Sequence, residues 1–188
     1  LTGRMQTIKP EEVGHMRRYA LLAKDVYKPV EERPVDPRVS ANSFEVFLPE
    51  EHTIETAVYA DHKAKEVVVS FRGSKFLEGA KDWISDKAIL MGTEDEDIRF
   101  KESSIAMDSI LSKIPPGYSV TTTGHSLGGR LALYVGKRKN VDKIALYNPG
   151  VNTNTLYNEC KSAKDFCKDK VFYYTTGNDF ISLGGSLF

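Results

Sequence analysis

The sequence is poor in cysteine and histidine, has no excess of either charge sign, and contains no long apolar run. Lys+Arg and Asp+Glu stand at 26 each. There is no basic surplus for holding a phosphate backbone, so nucleic acid is not an expected partner. No apolar stretch approaches the ~20 residues needed to cross a bilayer, and no secretory signal is visible. The compartment is left open. Two cysteines, Cys160 and Cys167, are too few for a disulfide framework. On one straight helix their Cα atoms would lie about 10 Å apart, beyond bridging distance. The pair reads as free thiols of a reducing compartment, although a bent loop would join them. No His/Cys/Asp cluster has metal-ligand spacing and no phosphate-binding glycine pattern occurs, so neither a metal nor a cofactor is expected. The histidines are four: His15, His52, His62 and His125. What remains is ordinary. With 40% apolar and 28% charged residues, the 188-residue chain suits one globular domain with its own core.

Periodicity supplies the organisation. Val13, Met16, Ala20, Ala23 and Tyr27 recur at helical spacing, which predicts a helix from Pro10 to Tyr27. Pro29, Pro34 and Pro37 then mark an extended connection. Phe44 to Leu48 and Thr56 to Ala60 read as a hairpin turning at residues 49–52. Val67-Val68-Val69-Ser70-Phe71 is nearly continuous apolar sequence, the signature of a strand buried on both faces. Helices are expected at 82–89, 97–114 and 152–168, and strands at 118–123, 143–147 and 171–176. From Val67 onward strands and helices alternate, which predicts an α/β fold: a mostly parallel sheet flanked by helices. Chemistry in such sheets gathers at the carboxyl ends of the strands.

Gly124-His125-Ser126-Leu127-Gly128 lies at such an end, between a β-branched strand and an amphipathic helix. Gly-x-Ser-x-Gly in strand–turn–helix context is a nucleophile elbow, with Ser126 as the candidate nucleophile. The N–H of Leu127, at a helix N-terminus, is a candidate oxyanion donor. Ser74 follows an earlier strand and is the second candidate, with a helix or turn cap as the competing reading. Asp179 follows the last strand and is the candidate triad acid; its competing role is a turn cap. Asp165 and Asp169 are weaker rivals in a Lys-rich segment, and Asp142 lies at the wrong strand end. Arg72 reads as structural, tying its loop to a carboxylate or to carbonyl groups. Trp83 reads as a core anchor, with part of a flap over the site as the competing reading. His125 adjoins the serine, so it is expected to pack beside the elbow. His15, His52 and His62 precede the elbow and read as surface or satisfied core residues.

Taken together, residues 67–74, 82–86, 123–129, 146–150 and 178–182 resemble the class 3 lipase family, the fungal triacylglycerol-lipase-like α/β-hydrolases. The resemblance covers about two-thirds of the chain and keeps the family's order. It implies a single α/β-hydrolase domain over residues 1–188 that cleaves carboxylic esters, usually lipid acyl esters, without a metal. It implies Ser126 as nucleophile, Asp179 as triad acid, Ser74 and Leu127 as the oxyanion hole, and residues 75–83 as a lid. The candidate lid has no strongly apolar face, so a small soluble ester or a monoacyl lipid is as good a substrate as a lipid droplet. Transient contact with a lipid surface belongs to the same expectation. The family's histidine follows the acid, and the sequence reaches Phe188 without one. The expectation is therefore a compact or C-terminally truncated version, with the base in a further C-terminal tail. The alternative is a lipase-like binding or scaffold module that has lost catalysis.

Overall fold

The computed structural model describes residues 10–73, 94–147, 167 and 170–174. Helix α1 (Pro10–Asp25) leads into a short 3-10 turn at Val30–Glu32 and helix α2 (Pro37–Ala41). Strands β1 (Glu45–Val46), β2 (Thr56–Asp61) and β3 (Glu66–Phe71) follow, with a 3-10 turn at Pro49–Glu51 between the first two. Helix α3 (Glu94–Lys113), strand β4 (Ser119–His125), helix α4 (Leu127–Arg138), β5 (Lys143–Tyr147) and β6 (Val171–Tyr174) complete the order. The strands form a six-stranded sheet in the sequential order β1 to β6. β1, β2 and β3 pair antiparallel, and β3 to β6 pair parallel. This is the mostly parallel α/β sheet that the alternation predicts. The expected hairpin is present, but its first strand shortens to Glu45–Val46. The expected helices at 82–89 and 152–168 lie outside the described residues, apart from Cys167, which is helical.

The apolar run of β3 explains how the layers assemble. Every residue of β3 is buried. Val67, Val69 and Phe71 point to one face, where they meet Met107 and Ile110 of α3 and Leu131 and Val135 of α4. Val68 points to the other face with Ala57 and Tyr59, and is covered by Tyr19, Leu22 and Ala23 of α1 and by Val26 just after it. Side chains alternate across a strand, so a segment covered on both sides must be apolar at odd and even positions alike. Ser70 and Glu66 are the polar exceptions on the α1 face; the Ser70 hydroxyl donates to the Leu22 carbonyl at 2.9 Å.

Polar groups fix the frame at two places. At the amino edge of the parallel strands, buried Glu66 accepts from Tyr19 Oη at 2.6 Å and Thr121 Oγ1 at 2.8 Å, while Lys143 Nζ donates to Tyr19 at 3.0 Å. After α1, Arg33 is buried and donates to five carbonyls: Nε to Lys28, Nη1 to Thr53 and Thr56, and Nη2 to Val26 and Ile54. It staples the end of α1 to the start of β2. Arg33→Met would leave those acceptors in an apolar setting. It is expected to cost about 3 kcal/mol of unfolding free energy, measured as a fall in the urea midpoint at unchanged m-value.

The cysteine reading is corrected. Cys167 is buried and disulfide-bonded, and Cys160 is the other cysteine of the chain. The ground for assigning the chain to a reducing compartment goes with the free-thiol reading.

Candidate active site

The sharpest backbone feature lies where β4 meets α4. β4 ends at His125 and α4 starts at Leu127, leaving Ser126 between them at φ 57°, ψ −125°. A side chain at positive φ is strained by roughly 1–3 kcal/mol and persists only when its surroundings over-determine it. The determinants here are visible. Ser126 N–H donates to the Tyr147 carbonyl of β5 at 3.1 Å, and the Ser126 carbonyl accepts from Gly129 N at 2.9 Å and Arg130 N at 3.3 Å. The strand is held to its neighbour, and one residue later the helix has begun.

That reversal demands very close backbone approach. A Cβ on Gly124 would lie 2.2 Å from the carbonyl carbon and oxygen of Gly128, and one on Gly128 would lie 2.1 Å from the Phe71 carbonyl oxygen. Only hydrogen fits at either position. Leu127, 3% exposed, opens α4. Its N–H belongs to the first helical turn, where N–H groups lack intrahelical acceptors and the helix dipole is positive. Ser126 and Leu127 thus share one junction at the carboxyl end of the parallel strands. Ser74, Asp179, Trp83 and the candidate lid at 75–83 lie outside the described residues.

His125, His62 and His52 each have identified partners. His125 is buried, with Nδ1 3.3 Å from Tyr27 Oη. His62 occupies the turn between β2 and β3, where Nδ1 meets Tyr118 Oη at 2.7 Å and Nε2 meets Glu45 at 3.0 Å. That turn adjoins the start of β4, about 20 Å along the strand from the elbow. His52 Nε2 contacts the backbone of Phe47 and Val58, and burial holds its pKa below the usual imidazole value. Asp142 accepts from Val120 N at 2.8 Å, at the amino end of the sheet. Among the described residues no group of His, Cys, Asp or Glu could hold a metal ion.

Arg72 ties its loop down through its backbone. Its N–H donates to the Glu55 carbonyl at 2.8 Å and its carbonyl accepts from Arg99 Nη2 at 2.7 Å. The nearby carboxylate, Glu55, pairs with Arg99 at 3.0 Å. The Arg72 guanidinium lies over the Tyr27 ring, 5.5 Å from its centroid. Tyr27 and Arg99 are residues that sequence reasoning did not assign to the site. Tyr27 fitted the core periodicity of the helix expected to run from Pro10 to Tyr27, which in the structure ends at Asp25, and its one signal was a phenol that must find a partner when buried.

A strand, a Gly-x-Ser-x-Gly turn and a helix on a mostly parallel sheet covered on both faces make up an α/β-hydrolase fold. The chain belongs to the family of phospholipase-like proteins with a Tle-like phospholipase domain, which matches residues 18–183. Among solved structures, it is similar to a variant of MDLA from Penicillium cyclopium, at 18% identity and TM-score 0.59, over 90% of this chain and 72% of that one. It is similar to the mono- and diacylglycerol lipase from Aspergillus oryzae, at 22% identity and TM-score 0.53, over 84% of this chain and 69% of that one. The Rhizomucor miehei lipase in its propeptide complex matches at 18% identity and TM-score 0.50, over 74% of this chain and 52% of that one. The chain thus spans about half the length of the Rhizomucor lipase. No curated protein sequence matches it significantly. At these identities the structural likenesses establish the fold.

Proposed function

We propose that this chain carries the nucleophile of a serine hydrolase that cleaves carboxylic esters, with lipid acyl esters as its substrate class. The observation that carries the reading is the backbone of Ser126, strained at φ 57°, ψ −125° between a buried strand and a helix N-terminus. A plain turn would relax that strain with glycine. The phospholipase-like family match supports an acyl ester of a glycerophospholipid as one substrate. Among the described residues no helix is long and apolar enough to cross a membrane.

In this reading Ser126 Oγ attacks the ester carbonyl carbon and gives its proton to a histidine. The tetrahedral oxyanion is held by the N–H of Leu127 and by Ser74. The C–O bond to the alcohol then breaks, and the histidine returns the proton to the leaving oxygen. Water attacks the acyl-enzyme by the same route in reverse order, and Asp179 orients the histidine throughout. In this reading the base is a histidine beyond Phe188, while His52, His62 and His125 each meet other partners.

The test compares the full-length gene product with a protein ending at Phe188. The full-length protein is expected to label with a fluorophosphonate probe and to hydrolyse p-nitrophenyl esters and phosphatidylcholine. The shorter protein is expected to label at least about 10³-fold more slowly, as expected for loss of the base that activates the serine. A full-length protein inert towards probe and esters would instead support the scaffold reading.

A further inference from the structure

The hydrogen-bonded ladder between β3 and β4 stops at the pair Phe71–Gly124. The residues that follow are the ones that matter to the proposed chemistry: Gly73 precedes Ser74, and His125 precedes Ser126. One side chain spans the gap. Tyr27 Oη accepts the Gly73 N–H at 3.1 Å and lies 3.3 Å from His125 Nδ1 and 3.4 Å from the His125 carbonyl oxygen. Having accepted from Gly73, the phenol has one proton to give: to the His125 carbonyl oxygen or, in the tautomer that leaves Nδ1 unprotonated, to that nitrogen.

The hydroxyl is itself held in place. The Tyr27 ring lies beneath the Arg72 guanidinium, and Arg72 is anchored to Glu55 and Arg99 as described above. Burial raises the Tyr27 pKa well above the usual phenol value, so the donor proton stays in place. The fit tolerates no side chain at Gly73, where a Cβ would lie 2.4 Å from Tyr27 Oη and 2.9 Å from the His125 carbonyl oxygen. The same Cβ would be 3.5 Å from the Gly128 N atom, so Gly73 sits against the first turn of α4 that carries Leu127 N–H.

We propose that Tyr27 is a positioning residue for acyl transfer, its hydroxyl coupling the end of β3 to the nucleophile elbow across the gap where the strand ladder has stopped. The inference rests on the serine-hydrolase reading above. Donors of an oxyanion hole act on a charge that develops in one place, so a drift of about 1 Å between these segments costs rate rather than substrate affinity.

The test is Tyr27→Phe in the full-length protein, with kcat and KM for p-nitrophenyl butyrate and the second-order rate of fluorophosphonate labelling. Both kcat and labelling rate are expected to fall about 10- to 100-fold while KM stays within about two-fold. Tyr59→Phe is the structural control. It removes a buried hydroxyl that hydrogen-bonds Asp25, and it is expected to lower Tm without changing kcat. An active wild type whose Tyr27→Phe variant keeps kcat within about two-fold overturns the inference. A wild type inert towards probe and esters overturns the hydrolase reading instead, and this inference with it. If Tyr27→Phe does not fold, Gly73→Ala carries the test, because it keeps the phenol and forces it off the Gly73 N–H. The same kcat loss at unchanged KM supports the inference. Failure of both variants to fold assigns the contact to folding and overturns it.

Discussion

Ser126→Ala is expected to abolish fluorophosphonate labelling and to lower ester hydrolysis by at least about 10⁴-fold, since removing a nucleophile forfeits the covalent route entirely. The stability side of the same position gives a second readout. Alanine keeps the Cβ, and with it the strain at φ 57°, so its Tm should stay near that of the wild type. Ser126→Gly relieves the strain, worth roughly 1–3 kcal/mol, against an added unfolded-state entropy of about 0.4–1 kcal/mol. A net gain near 1 kcal/mol corresponds to a Tm about 3 °C higher for a chain of this size. A dead but stabler Ser126→Gly protein would show that the serine is retained at a cost to folding. If Ser126→Ala hydrolyses esters at the wild-type rate, the elbow is not the nucleophile site.

Gly128→Ala is expected to have the largest effect on stability of any single methyl added to the described residues, with Gly124→Ala close behind. In both cases the colliding atoms are backbone: the Phe71 carbonyl for Gly128, and the Gly128 carbonyl group for Gly124. A side chain in the way can rotate aside, but a carbonyl oxygen at 2.1 Å moves only if α4 lifts off the sheet. Ordinary overpacking costs about 1–3 kcal/mol. Displacing α4 also disturbs Leu131 and Val135, which are fully buried against β3 and its neighbours, so a loss of about 4 kcal/mol or more is expected. Thermal unfolding should show a Tm drop of roughly 10 °C or outright insolubility. Gly117→Ala is the comparison. It has φ +88° but nothing within 4 Å of its notional Cβ, so it should lose only about 1 kcal/mol of conformational preference. Equal losses at Gly117 and Gly128 would rule out steric contact as the cause.

The parallel sheet was legible because its strands are short apolar runs with one arrangement available to them. Val67 to Phe71 cannot be solvated on either side, and it lies between α1 on one face and α3 with α4 on the other. The elbow was legible because its constraints are local: a positive-φ turn flanked by glycines is written in five consecutive residues. Arg33 was not, because its partners at Val26, Lys28, Thr53, Ile54 and Thr56 come from two separate stretches of chain. Nor was the disulfide at Cys167, for which spacing along an imagined straight helix was the wrong measure.

By itself the sequence determined the α/β class, the strand–turn–helix junction and the place of Ser126 and Leu127 in it, since each follows from periodicity or from contiguous residues. Only the tertiary structure decided what surrounds them. Tyr27 lies 46 residues from Gly73 and 98 from His125 along the chain. Its single hydroxyl meets both because α1 packs on the face of the sheet where β3 and β4 end their ladder. A hydrogen bond depends on distances set by packing, and packing between distant segments leaves no periodic trace in the chain.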